Sequence, residues 1–225
     1  VGEDASAVFN MLSGYSEPLA WNKLSMAPLW LKNRFTALIR REVKCVSQGY
    51  EGRIIAKMNS LCDPVIIEEL YKASAAGVRI DLIVRGICCI LPGVPGYTEN
   101  LRSMSIVGRY LEHARIFSFG TGAAQKIYIG SADMMTRNTE KRVEVACPII
   151  DENIRRQINH YLRVMLNDNV KSRILQSDGT FVKRKATETP VDSQAMFMEE
   201  AIHARREEPQ RERPISEWLR RILKR

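Results

Sequence analysis

The sequence predicts an α/β fold, with a mixed sheet flanked by helices, and three observations support this prediction. Residues 53–84 encode a βαβ unit, in which a short β-prone run, a helix with clear end signals and a second β-prone run follow one another. Four further β-prone runs lie at residues 104–107, 115–119, 126–129 and 143–147. Apolar residues make up 45% and charged residues 27% of the 225 residues, as in an ordinary folded domain, so a wholly disordered chain is excluded.

A long amphipathic helix is predicted before this unit, over residues 28–46. Its apolar residues recur at helical spacing on one face, and Lys and Arg residues occupy the opposite face. The pattern ends at Gly49 and Gly52. Residues 1–23, which precede this helix, show no clear period.

The helix of the βαβ unit has signals at both ends. Asp63 is a good N-cap residue, and Pro64 suits the first helical position. The helix is expected to run to residue 76 and to end at Gly77, because glycine adopts the left-handed conformation that closes many helices. The strand over residues 78–84 should then lie parallel to the first strand, with a right-handed crossover.

The later strands are expected to lead into one more helix. The GTGAA segment at residues 120–124 predicts a hairpin turn between two β-prone runs. Asp151 is expected to cap a helix. The apolar residues of this helix recur at helical spacing and are Ile154, Ile158, Tyr161 and Met165.

Beyond residue 182 the sequence becomes polar and charged. Residues 183–194 are typical of a linker, and residues 203–213 form a solvated charge run. Residues 214–225 predict a basic amphipathic helix. Such ends can bind membranes or partner helices, but more often they dock on their own protein. The sequence therefore predicts a polar, helical C-terminal tail.

Composition narrows the classes of protein to consider. There are 34 Lys and Arg residues against 26 Asp and Glu, so the formal net charge is +8. No run of about 18 apolar residues occurs, which excludes a membrane-spanning helix. The five cysteines, with Cys88 and Cys89 adjacent, suit neither a disulfide framework nor a zinc site. We expect reduced, buried thiols and a cytoplasmic protein, with membrane association through the tail left open.

A first candidate site lies where the two strands of the βαβ unit end. Lys57 and Asn59 close the first strand, and Arg85 and Gly86 follow the second. Because parallel strands end at the same edge of a sheet, these residues should emerge together, where such sheets bind ligands. Arg offers phosphate a planar fork and Lys a point charge, so the spacing favours an anion site.

A second candidate cluster surrounds a histidine between two strands. Arg109 and Arg115 flank His113, and a lone histidine is usually structural or solvated. Nearby cations should depress its pKa, and bound phosphates would reverse that effect. Such a histidine can donate or accept a proton near neutral pH.

A third cluster adds cations around the GSAD turn at residues 130–133: Lys126, Arg137 and Arg142. Taken alone, this turn is weak evidence of a site. No GxxxxGK[ST] segment occurs anywhere in the sequence, so a Walker-type nucleotide site is excluded.

Four segments resemble the C-terminal part of bacterial polyphosphate kinases. They are AKMNSL at 56–61, IDLIVRGICCILPGVPG at 80–96, SIVGRYLEHARI at 105–116, and YIGSADMMTRN with RVEV within 128–145. The blocks are long, ordered and mutually spaced. The resemblance implies a domain similar to the phospholipase D fold. It also implies an enzyme that reversibly transfers the terminal phosphate of ATP to polyphosphate, through a phosphohistidine and with Mg²⁺.

The resemblance also implies roles for individual residues. Arg85 in VRG matches the nucleotide- and phosphate-binding arginine of the family, and Arg142 before VEV matches another phosphate-contacting arginine. His113 in LEH matches a second histidine, bound near ATP and proposed as acid and base. Lys57, Arg109 and Arg137 lie in the same clusters, and we expect them to bind ATP or polyphosphate as well.

The chain also departs from the family pattern. The HPYxSF-like segment that carries the nucleophilic histidine does not occur here, and neither do the arginines that help to hold Mg²⁺. We therefore expect residues 1–23 to end a preceding catalytic domain, residues 24–182 to form the C-terminal phospholipase D-like domain, and residues 183–225 to form a charged linker and tail. This chain should bind ATP and polyphosphate without turnover. The upstream domains would be its partners, in a full-length enzyme that is usually a homo-oligomer.

Two other functions remain open at this point. One is a non-catalytic module that binds polyanions or nucleic acid, which a basic domain supports weakly. Aromatic residues are only 7% of the chain and are not interleaved with the basic clusters, so no structural nucleic acid is expected. The other is a phospholipase D-like nuclease, although the HxKxxxxD signature is missing because Ala114 and Arg115 follow His113.

Overall fold

The computed structural model describes residues 1–14, 21–184 and 189–207. Within these residues, nine strands form one sheet, and six α-helices connect or flank them. The strands are β1 (Ser25–Ala27), β2 (Arg53–Met58), β3 (Arg79–Val84), β4 (Leu101–Ile106), β5 (Arg115–Phe119), β6 (Lys126–Gly130), β7 (Glu144–Pro148), β8 (Ser172–Leu175) and β9 (Phe181–Lys183). The helices are α1 (Gly2–Leu12), α2 (Leu31–Ser47), α3 (Pro64–Ala75), α4 (Thr136–Glu140), α5 (Glu152–Asn167) and α6 (Ser193–Glu207).

The sheet is mixed, with the strand order β1-β7-β6-β5-β2-β3-β4-β8-β9. β3 lies at the centre of a parallel group, with β2 on one side and β4 on the other. The remaining pairings are antiparallel. The register places Arg53 beside Arg79 and Met58 beside Val84. The predicted α/β fold with its parallel βαβ unit is confirmed.

The two ends of α3 form as the sequence predicts. The Asp63 side chain accepts hydrogen bonds from the backbone N–H groups of Val65 and Ile66, at 3.0 and 3.3 Å, and Pro64 occupies the first turn. At the other end Gly77 has a φ of +95°, a conformation that side chains disfavour. The helix therefore has a fixed length, which sets where β3 begins.

One face of the sheet is covered by α2 and α3. Phe35 of α2 is the centre of an aromatic cluster with Phe117, Phe119 and Tyr128, at ring-centroid distances of 4.8, 5.7 and 5.8 Å. Burying aromatic rings supplies much of the free energy that holds a helix on a sheet. The predicted amphipathic helix is therefore confirmed, with its apolar face on the sheet.

Helix α5 covers the other side of the sheet. Two of the four apolar residues predicted to be buried on this helix are exposed. Ile158 and Met165 are buried as expected, whereas Ile154 is 46% and Tyr161 is 39% exposed. The buried stripe consists of Ile158, Leu162, Met165 and Leu166. Tyr161 instead packs edge-on against Phe197 of α6 at 5.2 Å. Because helical spacing alone does not set how a helix is rotated on its sheet, the neighbouring α6 decides the outcome.

The predicted linker is wrong for its last residues, because they begin α6. Asp168 is fully buried and accepts hydrogen bonds from the backbone N–H and the hydroxyl of Ser193, at 2.9 and 2.7 Å. Gln194 is also buried. The predicted charge run is helical up to residue 207. The basic amphipathic segment at residues 214–225 lies outside the described residues.

The first helix is tied to the beginning of the sheet. Asp4 of α1 is buried, and its carboxylate accepts hydrogen bonds from the backbone N–H groups of Asn22, Lys23 and Leu24, at 3.0, 2.7 and 2.9 Å. These bonds outweigh the opposing effect of burial and lower the pKa of Asp4. The assignment of residues 1–23 to a preceding domain stays a prediction.

Two expectations from composition can be compared with the structure. None of the described helices combines the length and the apolar character needed to cross a bilayer. All five cysteines are free thiols, but the expectation that they are buried is wrong, since four are half-buried and Cys89 is exposed.

The Asp63→Ala variant should be strongly destabilised. Besides capping α3, Asp63 is fully buried, accepts the Thr139 hydroxyl at 2.7 Å and pairs with Lys32 at 3.1 Å. Because the substitution leaves these partners unsatisfied, we expect a loss of about 3 kcal/mol in the free energy of unfolding. Urea titration measures this.

Asp151→Ala is the matched control for that variant. The Asp151 side chain caps α5 in the same way, by accepting from the backbone N–H groups of Asn153 and Ile154, but it is exposed and has no further partner among the described residues. The control should lose only about 1 kcal/mol. Equal losses in the two variants would show that the buried partners of Asp63 add nothing.

Candidate active site

The strand register gathers the predicted site residues at one edge of the sheet. β2 and β3 both end there, at Met58 and Val84, and antiparallel β5 begins there at Arg115. β6 ends beside Arg115, and β7 begins at the same edge. The four connections that follow β2, β3, β4 and β6 therefore meet along this line, and the last two lead into β5 and β7. We call it the carboxyl edge.

Backbone hydrogen bonds join three of these loops. Leu61 donates its N–H to the carbonyl of Ile87 at 2.8 Å, and its own carbonyl accepts from Cys89 at 2.9 Å. On the other side, Cys62 and Asp63 both donate to the carbonyl of Met134, at 2.8 and 2.9 Å. The loop after β2 is thus held between the loops after β3 and β6, so the side chains on all three are fixed relative to one another.

Gly86 allows two of these loops to approach closely. Its N–H donates to the carbonyl of Asn59 at 2.7 Å. A Cβ atom at this position would lie 2.9 Å from that same carbonyl oxygen, which is closer than a Cβ atom approaches a backbone atom, and 3.1 Å from the Ser60 hydroxyl. A glycine is therefore required where Arg85 leaves the sheet.

Arg85 and His113 are in direct contact at the carboxyl edge. The Arg85 Nε donates to the side-chain oxygen of Asn59 at 2.6 Å, and the Arg85 Nη2 lies 3.0 Å from the His113 Nδ1. Because a guanidinium can only donate, the His113 Nδ1 is the acceptor. In the neutral imidazole the proton then sits on Nε2, the nitrogen that Arg85 does not touch.

Asp133 sets the orientation of Asn59. Its carboxylate accepts the Asn59 backbone N–H at 2.7 Å and the Asn59 side-chain amide at 3.0 and 3.1 Å. Arg115 donates to the same carboxylate from 3.4 Å. Burial raises the pKa of Asp133, but these hydrogen bonds and the Arg115 charge outweigh burial, so the pKa lies below its usual value. The charged carboxylate turns the Asn59 oxygen toward Arg85.

Lys57 holds the segment on either side of His113. Its side chain is only 2% exposed, and its ammonium pairs with Glu112 at 3.1 Å and lies 3.4 Å from the carbonyl of Ala114. Burial lowers the pKa of Lys57, as do the nearby arginines Arg85 and Arg115, while Glu112 partly offsets this. The ammonium is thus already paired, and its binding to phosphate stays a prediction.

Helix α6 braces the loop that carries His113. Gln194 accepts the backbone N–H of Tyr110 at 2.9 Å, donates to the Tyr110 carbonyl at 2.9 Å, and donates to Glu112 at 2.7 Å. Arg115 also donates to the carbonyl of His113 itself at 3.1 Å. The backbone around His113 is therefore held from three sides.

The other three predicted arginines are exposed at the carboxyl edge. Arg109 lies in the loop before β5, Arg137 on α4, and Arg142 just before β7. Their guanidinium groups have no hydrogen-bond or ion-pair partner within the described parts of the chain, although Arg109 lies 5.7 Å from the centre of the Tyr110 ring. The structure brings Arg85 and His113 into contact and places these three arginines, unpaired among the described residues, in connections between strands at the same edge.

Sequence reasoning missed three residues of the site: Glu112, Asp133 and Gln194. The only sequence signal for Asp133 is the GSAD turn, which does not reveal that its partner Asn59 lies 74 positions away. Gln194 falls in the predicted linker because the residues before it are polar. The apolar residues 195–198 that follow it are the signal that a packed helix begins there.

The described residues do not fit a magnesium site of their own. No group of three or more His, Cys, Asp or Glu side chains in this part of the chain lies close enough together to hold a metal ion. The carboxylates nearest His113, Glu112 and Asp133, are both paired with cations.

The fold defines a class. The sheet is mixed, has helices on both faces and carries its candidate site residues at the carboxyl ends of its parallel strands. This is the arrangement of the phospholipase D-like fold. The crystal structure of Nuc, a phospholipase D family member from Salmonella typhimurium, is similar to this chain with a TM-score of 0.51. It is 13% identical and covers 69% of this chain and 97% of its own, a likeness that supports the fold alone.

Matches of higher identity identify the family to which this chain belongs. Residues 24–194 match the family described as polyphosphate kinase C-terminal domain 2. The polyphosphate kinase of Halalkalibacterium halodurans is 50% identical over 202 residues, and that of Synechocystis sp. is 46% identical over 212 residues. They cover 89% and 93% of this chain. The crystal structure of polyphosphate kinase from Porphyromonas gingivalis has a TM-score of 0.85 at 38% identity, covering 89% of this chain and 31% of its own.

The chain therefore belongs to the polyphosphate kinase C-terminal domain family, as the resemblance predicts. It spans about 29% of the length of the curated relatives it matches. The predicted phospholipase D-like fold is confirmed as well.

The Asp133→Asn variant should lose stability in a pH-dependent way. At pH 7 the new amide places an N–H group against the Asn59 and Arg115 donors, so we expect a loss of about 2 kcal/mol in the free energy of unfolding. The Asp133 pKa is lowered on folding, so its contribution is present above the unfolded pKa of about 4 and is lost as the pH falls through the folded value. The difference from the parent chain should therefore shrink toward pH 3.

Urea titrations at pH 7 and pH 3 measure this difference. Glu51→Gln is the control, because Glu51 is exposed and its side chain has no polar partner in the described ranges; its stability should hardly change. A deficit in Asp133→Asn that is the same at both pH values would contradict an ionised Asp133.

Proposed function

We propose that this domain forms half of a polyphosphate kinase active site, which reversibly transfers the terminal phosphate of ATP to a growing polyphosphate chain. The observation that carries the proposal is the contact between Arg85 and His113, fixed by Asn59 at the carboxyl edge. Three further arginines without polar partners among the described residues, Arg109, Arg137 and Arg142, lie in connections between strands at the same edge of the sheet. The membership of the chain in the polyphosphate kinase family supports the same substrates.

The arginines bind and neutralise phosphate oxygens. Arg85 uses Nε for Asn59 and one N–H of Nη2 for His113, so the N–H groups of Nη1 remain for phosphate. Arg142, Arg109 and Arg137 supply additional charge along the phosphate chain. Phosphoryl transfer depends mostly on positioning and on stabilising charge at the phosphoryl oxygens, which arginines on a fixed scaffold provide.

His113 handles a proton during transfer. In the neutral ring Nδ1 accepts from Arg85, so Nε2 carries the proton and donates a hydrogen bond to a phosphate oxygen. To act as a general acid the ring is first protonated on Nδ1, which releases the Arg85 contact, and Nε2 then gives its proton to the ADP oxygen as the bond from that oxygen to phosphorus breaks. The neutral imidazole that is left takes a proton back on Nε2 in the reverse direction. Lys57 is a positioning residue. Its ammonium binds Glu112 and the carbonyl of Ala114, the residues on either side of His113, and so fixes where the imidazole lies.

The phosphoryl group itself is accepted by a histidine outside these 225 residues. A nitrogen of that imidazole attacks the terminal phosphorus of ATP, and the bond to the ADP oxygen breaks. A terminal oxygen of polyphosphate then attacks the phosphohistidine, and the bond between phosphorus and nitrogen breaks. On this proposal the present chain binds both substrates but does not turn them over.

The remaining expectations about the enzyme are also proposals. Upstream domains supply the accepting histidine, and the full-length enzyme is a homo-oligomer in the cytoplasm, with membrane association of the tail left open. Magnesium acts in the full-length enzyme, where it neutralises phosphate charge. No step proposed here uses a metal ion held by this chain, because its described residues do not fit one.

The Arg85→Gln variant should bind ATP and short polyphosphate about tenfold more weakly, because glutamine lacks the charge and the fork that phosphate needs. Isothermal titration calorimetry with the 225-residue chain measures this. Arg34→Gln removes an exposed arginine on α2 that is not one of the predicted site residues, and it should change neither affinity. Titration with single-stranded DNA of matched charge covers the alternative of a nucleic-acid-binding module.

Two outcomes would contradict the proposed site. One is an unchanged affinity of Arg85→Gln for ATP. The other is tighter binding of single-stranded DNA than of polyphosphate in the parent chain, which would favour the non-catalytic module.

Incubation of the isolated chain with ATP labelled at its terminal phosphate should give no phosphohistidine. His113 supplies a proton in this proposal and does not accept the phosphoryl group. Acid-labile, base-stable label on the chain, located by mass spectrometry, measures the reaction. Label on His113 would overturn the assigned role, and label that disappears in His113→Gln would establish His113 as the nucleophile.

A further inference from the structure

We infer that the opposite edge of the sheet carries a second anion site, which binds condensed phosphate and takes no part in the transfer itself. This far edge is where β2 and β3 begin, at Arg53 and Arg79, and where β5 ends. A cavity of about 400 Å³ opens there between the sheet, the turn at residues 120–122 and one flank of α5. We call it the far-edge cavity.

Positive charge dominates the far-edge cavity. Four arginines line it, and Asp81 is the one carboxylate among its lining residues. The four are Arg53, Arg79, Arg102 and Arg163. Two further carboxylates lie near this edge. Glu99 lines a smaller neighbouring groove that shares Arg79 and Arg102, and Glu42 accepts the backbone N–H of Arg53 at 3.2 Å and is paired with Arg41. A concave surface with a surplus of one sign raises the local concentration of oppositely charged ligands.

Asp81 organises two of these arginines and cannot neutralise the rest. It is only 3% exposed, pairs with Arg53, and accepts the Arg102 Nε at 2.7 Å. Both oxygens of the carboxylate are thus occupied. Arg79 and Arg163 are exposed, and their guanidinium groups have no polar partner within the described residues. These two cations remain available to a ligand, on a scaffold that Asp81 makes rigid.

The other lining groups favour phosphate over a nucleobase. Within the described residues no aromatic side chain lines the cavity, so it lacks the rings on which bases stack in sites for single-stranded nucleic acid. Gln125 and Asn159, which exchange amide hydrogen bonds at 2.8 Å, and the Gly120–Gly122 turn provide small polar groups instead. Guanidinium groups bind phosphate oxygens with two parallel N–H groups, and this lining offers guanidinium groups without aromatic rings.

The two edges are separate sites on one domain. β2 is six residues long, so its two ends lie about 17 Å apart. A phosphate chain held at the far edge would stay close to the domain after its end leaves the carboxyl edge, which raises its effective concentration. The choice of polyphosphate as the natural ligand rests on the proposed function. The preference for a multivalent phosphate anion rests on the cavity alone.

Titration with linear tripolyphosphate, at low salt, tests the far-edge site in the 225-residue chain. We expect two binding events in the parent chain. The double variant Arg79→Gln/Arg163→Gln should lose one of them, with an affinity for that event at least about tenfold weaker. Both side chains are exposed and unpaired, so the variant should fold normally, which far-UV circular dichroism checks. Arg34→Gln/Lys44→Gln removes the same charge from exposed positions on α2 and should keep both events.

The Arg85→Gln variant separates this proposal from the proposed function. If Arg85→Gln keeps both events while Arg79→Gln/Arg163→Gln loses one, the far-edge site stands and the assignment of the carboxyl edge fails. If Arg79→Gln/Arg163→Gln binds as the parent chain does, the far-edge site is wrong. Equal weakening in the α2 control would also overturn it, because net charge alone would then explain the binding.

Discussion

The hydrogen bonds between Asp133 and Asn59 are the interaction on which the candidate site depends. Asp133 follows β6 and Asn59 follows β2, so the bonds connect two loops that are far apart in sequence. Because the carboxylate is buried and charged, it needs these donors. It binds the NH2 group of the Asn59 side chain, so the side-chain oxygen of Asn59 points the opposite way. That direction is toward Arg85, which in turn contacts His113. A buried carboxylate thereby sets the positions of a guanidinium and an imidazole near the surface.

A second set of contacts holds the imidazole from the other side. The buried Lys57 binds both residues that flank His113, and Gln194 of α6 binds the loop just before it. Burying an ammonium is unfavourable unless it is paired, so the segment with Glu112 cannot move away without leaving a buried charge. Sites whose groups are already oriented need little reorganisation when charge develops on a ligand. The contacts therefore give the site its geometry before any phosphate binds.

The sequence predicts those parts of this arrangement that follow from local signals or from strand direction. Asp63, Pro64 and Gly77 define α3, and the parallel strands around it then place Asn59 and Arg85 at one edge. Pairings between distant loops cannot be read in this way, because nothing local to Asp133 identifies Asn59 as its partner. The same limit applies to α6, because it is held in part by hydrogen bonds from Ser193 to Asp168 and between Gln194 and Tyr110, and its apolar residues form no single stripe at helical spacing.

The most direct test of this account is a crystal structure of the 225-residue chain with a non-hydrolysable ATP analogue. We expect the terminal phosphates within hydrogen-bond distance of Arg85 and of the His113 Nε2, with the bond from Arg85 to Asn59 still in place. Phosphates bound away from this pair, or an Arg85 side chain that has left Asn59 to reach them, would contradict a site fixed in advance by Asp133.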